Sequence, residues 1–201
     1  MKPVFALAGR PNTGKTTLFN ALTGLRQRVA NFAGCTVEKA IGVMELEDSQ
    51  AEIIDLPGTL SIIPSSEDEK VAFRFLREAA ESRNLQVLCV CEASNLQNDM
   101  ALAVSLSACG YQTALVVNMI DEAETNGILV NAEKLAAELD MPVFLVSARN
   151  GRGLSAIEAH IESASSRPSP PRPKTRPAGL SDNLSKIHES ALRHCEEVSN
   201  R

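Results

Sequence analysis

The chain has 201 residues, of which 44% are apolar and 22% charged, so it can bury one sizeable core with an appendage. Its net charge of -5 argues against a nucleic-acid-binding protein, which would normally carry a basic face. No apolar run reaches the roughly 18 residues of a membrane span, the N-terminus lacks a charged-then-apolar leader, and the five cysteines lack disulfide or zinc spacing. These features predict a soluble cytoplasmic protein with no nucleic-acid partner.

The first motif is a glycine-rich loop between an apolar run at Val4–Ala8 and a segment with helical spacing that ends near Gly24. In this context the pattern G-x-x-x-x-G-K-S/T binds phosphates, because inward N–H groups and a helix N-terminus attract an anion. Lys15 is expected to contact the β- and γ-phosphates, and Thr16 to coordinate Mg²⁺. The alternative is a glycine turn without a ligand. The predicted phosphate loop comprises Gly9, Arg10, Pro11, Asn12, Thr13, Gly14, Lys15, Thr16 and Thr17.

The stretch 25–38 has neither helical nor strand periodicity and is predicted to be a long loop, a length that tends to be functional in compact domains. It contains Gly34, Cys35 and Thr36. Thr36 is expected to give its hydroxyl to Mg²⁺ and its backbone N–H to the γ-phosphate, so that the loop orders when that phosphate is bound. Without the phosphate loop, a local turn hydrogen bond would explain Thr36 better.

Two strand-like runs, at 40–46 and 51–54, predict a hairpin that ends in Asp55-Leu56-Pro57-Gly58. Asp55 is expected to hold Mg²⁺ through a water, and the Gly58 N–H to contact the γ-phosphate. These four residues also form a common turn, so the prediction depends on their order and distance after the phosphate loop.

Three consecutive acids, Glu67 to Glu69, are predicted to form the solvated first turn of a helix and not a metal site. A buried strand follows at 87–91, and Asn95 is predicted to cap the next helix, which Gly110 closes. Strands that alternate with helices predict an α/β fold with a mostly parallel, six-stranded sheet flanked by helices. Ligands of such sheets bind at the carboxyl ends of the strands.

The strand predicted at 113–117 leads into Asn118, Met119 and Asp121. A carboxylate can accept from both the N1–H and the exocyclic amine of guanine, whereas adenine offers no such pair of donors. A buried site built for these bonds rejects the analogue that lacks them by roughly 10⁴ or more. The pattern therefore predicts a GTP/GDP site.

A last strand, predicted at 143–146, opens onto Ser147, Ala148 and Arg149, and the Ala148 N–H is expected to meet the guanine O6. Ser155 and the Glu three residues later predict a capping box for the closing helix.

The composition changes at residue 165, where a proline-rich stretch predicts an extended linker. The chain is thus divided into a GTP-binding domain (1–164), a linker (165–179) and an amphipathic helix (180–201). An amphipathic helix must bury its apolar stripe, on the main domain, on a second copy of the chain or on a region beyond it.

Taken together, these motifs resemble the cytoplasmic N-terminal domain of ferrous iron transport protein B, over about residues 3 to 163. The resemblance is carried by the phosphate loop with Leu18-Phe19-Asn20, and by Ala33-Gly34-Cys35-Thr36-Val37-Glu38-Lys39, Asp55-Leu56-Pro57-Gly58-Thr59, Asn118-Met119-Ile120-Asp121-Glu122-Ala123 and Gly151-Arg152-Gly153. Met119, where most relatives of this class carry Lys, distinguishes the chain from ribosome- and tRNA-associated GTPases.

The resemblance implies a small Ras-like G domain of the P-loop NTPase class that hydrolyses GTP and couples or gates Fe²⁺ uptake. Its partner would be the membrane portion of the same polypeptide, at the cytoplasmic face of the bacterial inner membrane, and a homo-oligomer is a further possibility. The chain departs from the family at Arg149, where others often have Lys or Thr, and after the linker, where at most one helix replaces a helical subdomain.

The candidate catalytic residues are Lys15, Thr36, Gly58 and Asn12. Thr59 stands where many GTPases use Gln to orient water, and it is too short for that task, so slow intrinsic hydrolysis is expected. The resemblance implies that Asn12 ligates K⁺, which substitutes for an arginine finger. Two other functions remain open: a ribosome- or RNA-associated GTPase, and a GTP-dependent interaction module with negligible turnover.

Overall fold

A seven-stranded sheet forms the centre of the computed structural model, which describes residues 2–25, 27–32, 38–47, 49–59, 61–82 and 84–165. The strands are β1 (Val4–Ala8), β2 (Gln27–Asn31), β3 (Glu38–Glu45), β4 (Gln50–Asp55), β5 (Leu85–Glu92), β6 (Thr113–Asn118) and β7 (Val143–Leu145). The helices are α1 (Lys15–Thr23), α2 (Glu67–Ser82), α3 (Leu96–Ala108), α4 (Ile120–Thr125), α5 (Ala132–Leu139) and α6 (Leu154–Ser165).

The strand order is β2-β3-β4-β1-β5-β6-β7, with β4, β1, β5, β6 and β7 parallel to one another. Every residue of β1 is buried, because helices cover both faces of the sheet. Phe5 and Leu7 pack with α1 and α6 on one face, whereas Val4 and Ala6 pack with α2 to α5 on the other. The predicted α/β class and mostly parallel sheet are confirmed.

The seventh strand, β2, lies in the stretch that was predicted to be a loop. It pairs antiparallel with β3, with Val29 opposite Ala40, at the edge of the sheet. Arg28, Val29 and Asn31 are exposed and Ala30 is only partly buried against the core, so the edge strand has no fully buried face to impose an alternating pattern. The prediction of six strands is therefore wrong, because β2 is defined by its pairing with β3 in the folded chain and not by a pattern in its own sequence.

The predicted hairpin is confirmed as β3 and β4, which pair antiparallel. The predicted start of α2 is also right, but Glu69 is buried and not solvated. Its carboxylate accepts from the N–H groups of Ser65 and Ser66, and the Ser66 hydroxyl accepts from the Glu69 N–H, as in a capping box.

The structure corrects two predicted helix caps in part. Asn95 is the N-cap residue of α3, as predicted, but its side chain donates to Asp99 Oδ1 at 2.9 Å and makes no capping bond to a backbone N–H. Ser155 lies inside α6, which begins at Leu154, so the predicted capping box is displaced from the helix start.

None of the helices in the described ranges combines the length and the hydropathy that a membrane span requires. The predicted linker after Ser165 and the predicted helix at 180–201 lie outside the described residues.

Candidate functional site

The predicted motifs meet at one edge of the sheet. The phosphate loop follows β1, Asp55 ends β4, Asn118 ends β6, and Ser147 follows β7. Because these strands are parallel, their carboxyl ends lie at the same edge, which is where α/β folds bind ligands. Gly34, Cys35 and Thr36, which were predicted to complete the site, lie outside the described residues.

The phosphate loop curls around Lys15, whose ammonium donates to the Arg10 carbonyl at 2.8 Å. The Thr13 hydroxyl donates to the same carbonyl at 3.0 Å. Burial lowers the pKa of Lys15, although the nearby Asp55 carboxylate opposes that shift. A buried cation at a helix N-terminus, enclosed by a curled backbone, is suited to an anionic ligand.

Gly14 is required by the loop geometry. Its φ of 83° lies in the left-handed region, and a Cβ there would overlap the Asn118 side-chain amide. The Met119 side chain also approaches Gly14, since its Cε would lie 3.4 Å from such a Cβ. The phosphate loop and the segment after β6 are thus in direct contact.

Thr16 and Asp55 form the predicted magnesium pair. The Thr16 hydroxyl donates to Asp55 Oδ2 at 2.7 Å, and Asp55 Oδ1 is buried without a hydrogen-bond partner among the described residues. Burial raises the pKa of Asp55, against the opposing effects of the Thr16 hydrogen bond and of Lys15. A hydroxyl beside an unsatisfied carboxylate oxygen is the oxygen donor set that Mg²⁺ prefers, so these residues fit the ion.

Thr59 is only 1% exposed and is hydrogen bonded to the first glycine of the phosphate loop. Its N–H donates to the Gly9 carbonyl at 2.9 Å, and its hydroxyl accepts from the Gly9 N–H at 3.2 Å. Between Asp55 and this pair, Gly58 lies so close to the loop that a Cβ would come within 2.7 Å of Pro11 Cγ. The motif pattern did not reveal this contact of Thr59, because the Gly9 N–H that donates to its hydroxyl lies 50 residues earlier in the chain.

Asn118 connects the predicted phosphate loop to the loop after β7, which was predicted to contact the base. It is 2% exposed; its Nδ2 donates to the Thr13 carbonyl at 3.0 Å, and its Oδ1 accepts from the Ala148 N–H at 3.0 Å. The Ala148 N–H, which was predicted to meet the guanine O6, is therefore directed at Asn118 in this structure. One amide fixes the distance between the two loops.

Asp121 lies at the start of α4, facing the loop after β7. Its Oδ2 accepts from Arg149 Nη2 at 3.1 Å, while Arg149 Nη1 lies 3.3 Å from Glu122 Oε1. A hydrogen bond from the Ser147 side chain, followed by the Arg149 guanidinium, holds the pKa of Asp121 below its usual range. The carboxylate is therefore an ionised acceptor at neutral pH.

The Arg10 side chain turns away from the loop that its backbone forms. Its Nε lies 3.6 Å from Oδ1 of the buried Asp99 in α3, and Asp99 Oδ2 accepts from the Glu92 N–H at 3.0 Å. Burial raises the pKa of Asp99, and the Glu92 N–H and Arg10 oppose that shift. Asp99, in the first turn of α3, thus ties the phosphate loop to that helix, a role that the sequence pattern did not reveal.

Comparison with known proteins identifies the same family that the sequence motifs resemble. Residues 3–161 match the profile of the family described as Ferrous iron transport protein B. The chain is 40% identical over 152 residues to the Fe(2+) transporter FeoB of Leptospira biflexa, which covers 76% of this chain and 22% of the transporter. It is 38% identical over 165 residues to the Fe(2+) transporter FeoB of Escherichia coli K12, which covers 80% of this chain and 21% of the transporter. The chain therefore spans about a fifth of the length of these curated relatives.

A solved structure of the cytosolic domain of the T. maritima FeoB iron transporter in its GMPPNP form superimposes with a TM-score of 0.85 at 26% identity. That match covers 98% of each chain. The present chain thus shares the fold of this FeoB domain over nearly its whole length.

Proposed function

Since the chain belongs to the ferrous iron transport protein B family, we propose that it is a G domain that binds GTP with Mg²⁺ and hydrolyses it slowly to GDP and phosphate. One observation carries the proposal: Asn118 joins the phosphate loop at Thr13 to the base-facing loop at Ala148. In the proposed site, this side-chain amide would set the separation between the phosphate end and the base end.

At the phosphate end, Lys15 and the helix N-terminus are proposed to hold the β- and γ-phosphates. The loop residues Gly9 to Thr17 would surround them, with Leu56 and Pro57 presenting the Gly58 N–H to the γ-phosphate. Thr16, Asp55 and Thr36 would hold Mg²⁺, which when bound neutralises the charge that develops between these phosphates. Gly34 and Cys35 would position Thr36 for its contact with Mg²⁺.

At the base end, Asp121 is proposed to accept from the N1–H and the amine of guanine. Asn118, Met119, Ser147 and Ala148 would form the walls of this subsite. The burial of Asn118 and Ser147 supports selectivity, because buried polar groups left unpaired by a wrong base are costly.

Titration calorimetry tests the proposal directly. In magnesium buffer, the protein is expected to release or absorb heat with both GDP and GMPPNP. Lys15→Ala is expected to lower the affinity for GMPPNP by about tenfold or more, because a charge-assisted contact of about 1.5–3 kcal/mol is lost. Circular dichroism would verify that both proteins are folded. A folded wild-type protein that binds neither nucleotide would contradict the proposal.

Hydrolysis is proposed to require a cation beside the phosphates, and K⁺ ligated by Asn12 is the candidate that the family resemblance implies. When bound, K⁺ would supply the positive charge that an arginine finger supplies elsewhere. Asn12 is exposed, with its oxygen-bearing side chain on the phosphate loop, and its φ of 68° is one that Asn and Gly tolerate.

We expect hydrolysis to be faster in KCl than in NaCl at equal ionic strength, and Asn12→Gly to abolish the difference. Glycine removes the ligand without straining the positive φ, whereas Asn12→Asp keeps both an oxygen ligand and the backbone geometry and serves as the control. Phosphate release under single-turnover conditions is the measurement. Equal rates in the two salts for the wild-type protein would rule out this role of K⁺.

At the level of the whole transporter, we propose that the domain lies at the cytoplasmic face of the bacterial inner membrane and couples or gates ferrous iron uptake. The membrane portion would be its covalent partner. Iron uptake by cells that carry the full-length transporter with Lys15→Ala tests the link: uptake is expected to be lost while the protein still reaches the membrane.

A GTP-dependent interaction module with negligible turnover is the second candidate. It is favoured by the buried, hydrogen-bonded state of Thr59, which leaves no side chain at that position to orient water. Single-turnover hydrolysis that is undetectable even in K⁺ would establish this alternative.

A further inference from the structure

Arg149 is placed between two carboxylates of α4. Its Nη2 donates to Asp121 Oδ2 at 3.1 Å, and its Nη1 lies 3.3 Å from Glu122 Oε1. The Arg149 side chain is 71% exposed, whereas that of Asp121 is 24% exposed. The guanidinium therefore covers one of the two oxygens of the carboxylate that is proposed to read guanine.

Guanine presents two donors to that carboxylate, the N1–H and the exocyclic amine, and a paired contact needs both oxygens. A base with a single donor needs only one oxygen and can leave Arg149 in place. We propose that Arg149 and the second guanine donor compete for Asp121 Oδ2, so that Arg149 is a specificity-determining residue that weakens guanine binding. This inference rests on the proposed function, namely that Asp121 accepts from guanine.

The displaced guanidinium has a second partner within reach. Because Arg149 already contacts Glu122, it can give up Asp121 and remain on α4 through that neighbour. The Arg149 side of the pair with Asp121 is largely exposed, and ion pairs that solvent reaches are weak enough to be exchanged. Competition is therefore expected to tune nucleotide affinity and not to block binding.

The loop that carries Arg149 is held by other contacts. Ser147 and Arg152 form a backbone bridge, and Arg152 donates to both carboxylate oxygens of Glu124, at 2.6 and 2.9 Å. Asn118 Oδ1 also holds the Ala148 N–H. Removal of the Arg149 side chain thus leaves the loop attached to α4 and β6.

The test compares GDP with inosine diphosphate (IDP), which retains the N1–H but lacks the exocyclic amine. In Arg149→Ala, GDP affinity is expected to rise about two- to fivefold, the value of an exposed ion pair, while IDP affinity stays unchanged. The ratio of GDP to IDP affinity should rise by the same factor, and fluorescent GDP should dissociate correspondingly more slowly.

Arg152→Ala is the matched control, since it removes an arginine of the same loop that pairs with the same helix but not with Asp121. It is expected to leave the GDP-to-IDP ratio unchanged. If Arg149→Ala lowered the affinities for GDP and IDP equally, the inference would be overturned, and Arg149 would be a residue that supports the loop. An unchanged ratio would overturn it as well. Failure of the wild-type protein to bind GDP at all would instead count against the proposed function.

Discussion

Replacing Asp121 by Asn is expected to transfer the preference of the site from GTP to XTP. Xanthine keeps the N1–H of guanine but carries a carbonyl where guanine carries the amine. The Asn carboxamide would accept from the N1–H and donate to that carbonyl, whereas it would face the guanine amine with a donor of its own. Since a site built for a hydrogen-bonded partner rejects the unpaired analogue by about 10⁴, the ratio of GTP to XTP affinity should reverse.

Competition of XTP and GTP against a fluorescent nucleotide measures this reversal. Glu122→Gln is the matched control, because it removes the neighbouring carboxylate of α4 that contacts the same Arg149 guanidinium but is not proposed to read guanine. That variant should keep the wild-type preference for GTP. Unchanged GTP affinity in Asp121→Asn would show that Asp121 does not read guanine.

Replacing Thr59 by Val is expected to lower the affinity for GMPPNP more than the affinity for GDP. Valine has the shape of threonine but no acceptor, so the buried Gly9 N–H would lose its partner at a cost of about 1–3 kcal/mol. Thr59 is the residue after Gly58, whose N–H is proposed to contact the γ-phosphate, so loss of the Thr59 contact should disturb that contact first. Because the free protein also bears part of this cost, the loss of GMPPNP affinity is expected to be at most about 5- to 160-fold, the equivalent of 1–3 kcal/mol.

Calorimetry with GDP and GMPPNP, together with thermal unfolding, distinguishes positioning from general stability. Thr59→Ser keeps the hydroxyl and should retain most of the GMPPNP affinity. If Thr59→Val lowers the affinities for both nucleotides by the same factor, Thr59 stabilises the phosphate loop as a whole and does not act on the γ-phosphate contact in particular.

Much of the architecture could be predicted from local pattern. The all-apolar β1, the glycine loop and the helical spacing of Leu18 and Leu22 lie within 20 residues of one another, and the structure places them as predicted. The strand β2 could not be predicted, because an edge strand with exposed side chains on both faces carries no periodic signal.

For the candidate site as well, the sequence predicted some features and not others. Lys15, Thr16, Asp55, Asn118 and Asp121 were identified from motif spacing, and the structure brings them to one edge of the sheet. The motifs did not show which atoms meet. The Ala148 N–H is directed at Asn118, and Thr59 is turned inward to Gly9.

By itself, the sequence determined the class of fold, the family and the residue types available for phosphate, metal and base, since each of these depends on short patterns along the chain. Only the tertiary structure decided the pairings, such as Thr13 with Asn118, which are 105 residues apart. The physical reason is that parallel strands joined by helices bring distant strand ends together. Hydrogen bonds between those ends depend on the packing of the whole sheet and leave no local pattern in the sequence.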